Sequence, residues 1–191
     1  MDGFQFSKRP FIPRELGYVA MDSEEVDVVS FDLSGVSTNE NDWKSVRYCR
    51  KFVHGLPFYP LRGERCQPPE NLDELLLNLY REYRSSAKHL VAYKGGVCEK
   101  YKLEELGIPC INLEQFGCPK YEHLKEWYPD VQGTCWRHDK SSNRTYHCVA
   151  AEVQTFKSWV KDNLVAAHER SMWLRTVSGR RLSQIKQALA G

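Results

Sequence analysis

The stretch Leu16-Gly-Tyr-Val-Ala-Met21, Asp22-Ser-Glu-Glu25, Val26-Asp-Val-Val-Ser-Phe-Asp-Leu33 decides the fold class. Two runs rich in β-branched and aromatic residues flank a short polar connection, the pattern of an antiparallel hairpin. Upstream, the first ten residues read as an irregular lead-in. Downstream, the polar, Asn-rich residues 37–42 read as a loop and residues 46–53 as a third strand. Pro57, Pro60, Gly63, Pro68 and Pro69 then break regularity, predicting a long exposed connection.

Beyond that connection the period changes. Asn71 with Glu74 has the spacing of a capping box, and Leu72, Leu75, Leu76, Leu79, Tyr80 and Tyr83 recur at helical intervals. His89-Leu-Val-Ala-Tyr93 reads as a buried strand, Lys94-Gly-Gly96 as the turn into a helix through Leu106, and Gly107 as its C′ residue. Pro109-Cys-Ile-Asn-Leu113 is a further strand, and a short helix is expected around residues 121–127. A last helix beginning near Tyr146 carries Val149, Val153, Phe156, Val160 and Leu164 along one face. The expectation is an α/β fold in which three antiparallel strands precede alternating helices and strands, joined in one mixed sheet flanked by helices. That order is the order of a ribonuclease H-like fold. Residues 11–166 form the predicted domain and residues 167–191 a basic helical extension.

Composition narrows the class. At 191 residues, 41% hydrophobic and 27% charged, the chain is sized for one well-buried core. It has no run of 18 or more apolar residues and no apolar segment near Met1 of the secretory kind, so an intracellular protein, in cytoplasm or nucleus and without a membrane partner, is expected. Seven cysteines then favour thiols and metal ligation over a disulfide frame. The net charge of +2 is uneven: from Lys157 onward seven basic residues face two acids, a local excess of +5. Such a segment either contacts phosphates or forms the solvated face of a helix.

Cys135-Trp-Arg-His138, followed by Cys148, supplies two thiolates and an imidazole, three-quarters of a tetrahedral zinc shell. The fourth donor must come from elsewhere in the chain, and ordinary buried thiols remain the alternative reading. Four pieces taken together resemble the Maelstrom domain family, a divergent branch of the ribonuclease H-like DEDD exonucleases. They are Phe11-Ile-Pro-Arg-Glu15-Leu-Gly-Tyr, His89-Leu-Val-Ala-Tyr-Lys-Gly-Gly96, Ile111-Asn-Leu-Glu-Gln-Phe-Gly-Cys-Pro119, and Cys135-Trp-Arg-His138 with His147-Cys-Val-Ala-Ala-Glu-Val153. The resemblance spans roughly residues 10–165 and fits a mobile-element or viral relative equally well. It implies a structural Zn2+ held by Glu15, Cys135, His138 and Cys148; His147 in place of Glu15 is the second arrangement. The family's HMG box has no counterpart before the domain.

The resemblance also implies a function in small-RNA-guided, piRNA-type silencing, with single-stranded RNA and the proteins of a silencing complex as partners. Two-metal exonucleases need several converging carboxylates. Here the first strand offers Glu15 and the more distant Asp22, the second motif has Lys94-Gly-Gly96 where an acid belongs, and the last helix has His147 and Glu152. A catalytically degenerate module follows from that set. A protein-interaction scaffold, with Phe52 to Tyr59 as its docking region, and an unconventional metal-independent RNA endonuclease stay open. For the latter, His89, His123 and His147 are the titratable candidates, while Cys98, Cys110 and Cys118 lack a nucleophile signature. RNA contacts fall to Trp136 and Arg137 beside the zinc motif. Arg170, Trp173, Arg175, Arg180, Arg181 and Lys186 form a second candidate set on the basic segment.

Overall fold

A computed structural model of the chain describes residues 1–6, 11–84, 89–129 and 148–166. The hairpin is present, with its first strand starting earlier than the sequence indicated: β2 (Ile12–Tyr18) pairs antiparallel with β3 (Asp27–Phe31). The first ten residues are not all irregular. Asp2–Phe4 forms β1, an antiparallel strand on β2, so the third antiparallel strand comes from the N-terminal end. Phe4, fully buried, explains why this short run leaves the solvent. Asp2 pairs with Glu15 and Gly3 with Pro13, leaving Arg14 as the extra residue of a β-bulge. β4 (Cys66–Gln67) adds in parallel to β3, giving a four-stranded mixed sheet in the order β1-β2-β3-β4.

The expected strand over residues 46–53 is instead a helix, α1 (Glu40–Phe52). Its start is fixed by a capping box: the Asp42 N–H donates to Asn39 Oδ1 and the Asn39 N–H to Asp42 Oδ2, both at 3.0 Å. Glu40 and Asp42 in the first turn and Arg50 and Lys51 in the last complement the helix dipole. Asp42, Val46 and Cys49 turn inward at helical spacing, and that period overrides the strand reading of residues 46–53.

α2 (Leu72–Tyr83) lies where predicted, but the Asn71 side chain does not cap it. Asn71 belongs to a 3-10 turn, Pro69–Asn71, whose first residue, Pro69, supplies the helical φ that launches the helix. Leu72, Leu75, Leu76 and Leu79 pack with Trp43, Val46 and Cys49 of α1 into the cluster formed by Phe4, Leu16, Val29 and Phe31. One face of the sheet is therefore covered by α1 and α2.

The remaining strands do not join this sheet, which corrects the expectation of one sheet. β5 (Val91–Tyr93) and β6 (Cys110–Asn112) make a separate parallel pair, connected by α3 (Val97–Glu105). Gly107, at φ +64°, closes α3 in the left-handed conformation that favours glycine. α4 (Tyr121–Trp127) and α5 (Val149–Val160) follow. The architecture is thus mixed α/β.

The chain divides into two compact units, Met1–Phe156 and Lys157–Gly191. In the second unit, the described residues continue α5 into a π-helical turn, Lys161–Val165, and Asn163 Nδ2 donates to the Trp159 carbonyl at 2.9 Å. No helix among the described residues is long and apolar enough to cross a membrane.

Candidate functional site

From Glu15 to Tyr18 the pairing of β2 with β3 is regular, so Glu15 and Gly17 point to one face and Leu16 and Tyr18 to the other. Leu16 enters the cluster covered by α1 and α2. Gly17 faces the opposite way, against the first turn of α5. A Cβ at Gly17 would sit 2.8 Å from the Val149 carbonyl oxygen and 3.0 Å from the Val149 Cβ. Glu15 therefore lies on the face that receives the start of α5, and it is fully buried, at 0% exposure. Ser30, opposite Glu15 on β3, is buried beside it.

Cys148 immediately precedes Val149 and is also buried; its carbonyl accepts the first helical hydrogen bond of α5, from the Glu152 N–H at 2.9 Å. Two of the four anticipated zinc ligands, 133 residues apart in the chain, thus occupy facing elements. Tyr121 of α4 packs against α5, its ring 6.3 Å from that of Phe156. Burial, and then the charges of Glu152 and Cys148, pushes the Tyr121 hydroxyl up to about 12. Cys135 and His138 lie outside the described residues, as do His147 and the anticipated RNA contacts Trp136, Arg137, Arg170, Trp173, Arg175, Arg180, Arg181 and Lys186. Among the described residues no group of three or more His, Cys, Asp or Glu side chains is placed to hold a metal ion.

The donor types fit zinc. A carboxylate oxygen and a cysteine sulfur, both buried, are donor types that zinc accepts. With four protein ligands such a centre would have no open position for water, so its role would be structural.

The carboxylates weighed for two-metal chemistry occupy unlike surroundings. Glu15 is interior, whereas Asp22 is exposed beyond the end of β2. Lys94, following β5, has a buried side chain whose Nζ lies 2.6 Å from Glu114 Oε1. That ammonium holds the Glu114 carboxyl below its ordinary range. Lys94 and Glu114 thus form an ion pair just beyond the ends of β5 and β6.

His89 and His123 are exposed. Burial raises the thiols of Cys98 and Cys110 and pushes that of Cys118 up to about 11, which suppresses the thiolate needed for nucleophilic attack.

A second electrostatic feature escaped the motif reading. Arg14 and Glu64 form a buried bidentate pair, Nη2 donating to Oε2 at 2.7 Å and Nη1 to Oε1 at 3.1 Å. Arg14 Nε also donates to the Pro57 carbonyl at 3.0 Å, and the Leu61 N–H to Glu64 Oε2 at 2.8 Å. The proline-rich connection is thereby fastened to the bulge of β2. No family model, no curated protein and no solved structure matches the chain.

Proposed function

We propose that the chain is a catalytically degenerate ribonuclease H-like module of Maelstrom type. In this reading it is braced by a structural zinc ion at Glu15, Cys135, His138 and Cys148, and binds single-stranded RNA, with protein partners, in small-RNA-guided silencing. One observation carries the reading: Glu15, fully buried, lies on the sheet face that receives Val149, next to buried Cys148. The strand that carries Glu15 packs, at Gly17, against the helix start that follows Cys148, and a zinc brace between β2 and α5 would need those elements side by side. The metal would tie β2 to α5, and its binding free energy would contribute to folding.

The test is elemental analysis of the purified chain beside Cys148→Ser and Glu15→Gln variants. One zinc per chain is expected, lost in Cys148→Ser, with unfolding shifted to lower denaturant when a strong chelator is present. A wild-type chain without zinc, or zinc retained at full stoichiometry in Cys148→Ser, sinks the reading.

A second reading, a protein-interaction scaffold, draws on the exposed Phe52 and Tyr59. It is favoured if a defined oligomer or protein complex forms while single-stranded RNA does not bind.

A further inference from the structure

α1 buries Asp42 and Val46 and half-buries Cys49, which satisfies its contact with the core. Trp43 also packs on that core, but the last turns of the helix have no folding reason to carry aromatic side chains on the outward side. Yet Tyr48 is 60% exposed and Phe52 61%, one helical turn apart, with ring centroids 5.3 Å from each other. Lys51 Nζ stands 5.0 Å from the centre of the Phe52 ring. Arg47 and Arg50 are exposed on the same helix. Among the described residues neither has an acidic partner within ion-pair distance, and Lys44 has a 3.9 Å contact to exposed Glu40 and donates to Asn41 Oδ1 at 3.3 Å. Tyr59, 52% exposed, adds a third ring beside Trp43 at 6.1 Å, with exposed Arg62 three residues further on.

We infer that the outward face of α1, formed by Arg47, Tyr48, Arg50, Lys51 and Phe52 with Tyr59 at its margin, is a binding surface for single-stranded nucleic acid. Exposed rings offer stacking platforms to unpaired bases, and interleaved guanidinium and ammonium groups neutralise the phosphates between them. Charge selects this occupant. From Arg47 to Phe52 there are three cations and no acid, so a second copy of the same face would meet it with like charge. Base-paired duplex hides its base faces and leaves the rings without a function. α3 provides the contrast: Val97 and Tyr101 are exposed there too, but acids and bases alternate around them, Glu99, Glu104 and Glu105 with Lys100 and Lys102, whereas the acids of α1 are confined to its first turn. The inference deepens the RNA-binding reading and rests on it, while placing the contact away from the zinc motif and from the basic C-terminal segment.

The experiment is fluorescence anisotropy with the full chain and labelled oligouridine, oligothymidine and a hairpin duplex, across a salt series. Three variants are compared: Tyr48→Ala/Phe52→Ala, Arg47→Gln/Arg50→Gln/Lys51→Gln, and Tyr101→Ala as control. All alter exposed positions, so circular dichroism should match wild type. The aromatic pair should weaken single-strand binding about tenfold or more, as expected when stacked bases lose their platforms. The charge variant should flatten the slope of log affinity against log salt by about 2, roughly 0.7 for each phosphate no longer neutralised. Tyr101→Ala should bind as wild type. Oligouridine bound more tightly than oligothymidine identifies RNA, and the reverse DNA; either supports the surface.

Single-strand binding by wild type that both α1 variants retain overturns this inference and leaves the RNA reading standing. No single-strand binding by wild type at low salt overturns both. Equal losses for hairpin and single strand, or for vesicles of anionic lipid, would overturn the stacking role and reduce the face to a general anion surface. An altered oligomeric state in the variants with RNA affinity unchanged would assign the face to protein contact and overturn the inference.

Discussion

Replacing Glu64 by glutamine should destabilise the chain by about 3–5 kcal/mol, the usual cost of leaving one partner of a buried ion pair uncompensated. Arg14 would then keep its guanidinium inside the fold, at 1% exposure, facing a neutral amide. The loss is measured by urea unfolding at neutral pH. Replacing both residues with apolar ones, Arg14→Met with Glu64→Leu, should cost less than either single change, because the cost resides in the unpaired charge. A double variant as damaged as the sum of the singles would contradict this account. The pair also sets a pH dependence. Burial pushes the Glu64 carboxyl up, but Arg14 and the Leu61 N–H outweigh it and hold the group below its ordinary value. A depressed carboxylate contributes stability that is complete above the unfolded value, about 4.3, and fades as pH falls through the folded one. Wild type and Glu64→Gln should therefore converge in stability on acidification below about pH 4.

Gly17→Val should be the second severe lesion, at about 2–3 kcal/mol, near the upper end for side chains forced into a packed interior. The obstacle is backbone: even a Cβ would lie 2.8 Å from the Val149 carbonyl oxygen, and a carbonyl in the first turn of a helix cannot swing aside. Relief requires moving α5 away from β2. If Glu15 and Cys148 share a metal, the displacement also separates two ligands, so Gly17→Val should lower zinc content although residue 17 carries no donor. Gly35→Val, at a glycine with open space around it, is the matched control and should leave both stability and metal unchanged. Full stability together with full zinc in Gly17→Val would show that the strand and the helix start do not meet as described.

How much of this was legible in the sequence depends on which periods competed. The 3.6-residue spacing of Leu72, Leu75, Leu76 and Leu79 is unambiguous, and α2 lies where it predicted. α4 coincides with its prediction as well. Residues 46–53 were ambiguous because β-branched and aromatic residues alternate there with charges. The decisive signal sat upstream, in Asn39 and Asp42, a capping pair with Asp at the position more often held by Glu or Gln. Misreading that segment as a strand also concealed the basic and aromatic face of α1. β1 was hidden for another reason: three residues are too few for any period, and Phe4 is recruited by tertiary contacts. At the candidate site, the motif named Glu15 and Cys148, but only the folded chain brings their elements together. The partner of Arg14 was not legible, since a loop glutamate 50 residues away has no local signature.

The bulge in β2 has an evolutionary corollary. A regular strand alternates inside and outside, so every second position is free to drift. The extra residue at position 14 suspends that rule, and Pro13, Arg14, Glu15 and Leu16 are all interior. Two neighbouring charged residues are thereby committed to the interior, Arg14 to the proline-rich connection and Glu15 to the face met by α5. A saturation scan should return an unbroken block of intolerance across these four positions, where an ordinary strand would return a striped one. Insertions or deletions there should be tolerated least of all, because a one-residue slip would exchange the two environments along the strand.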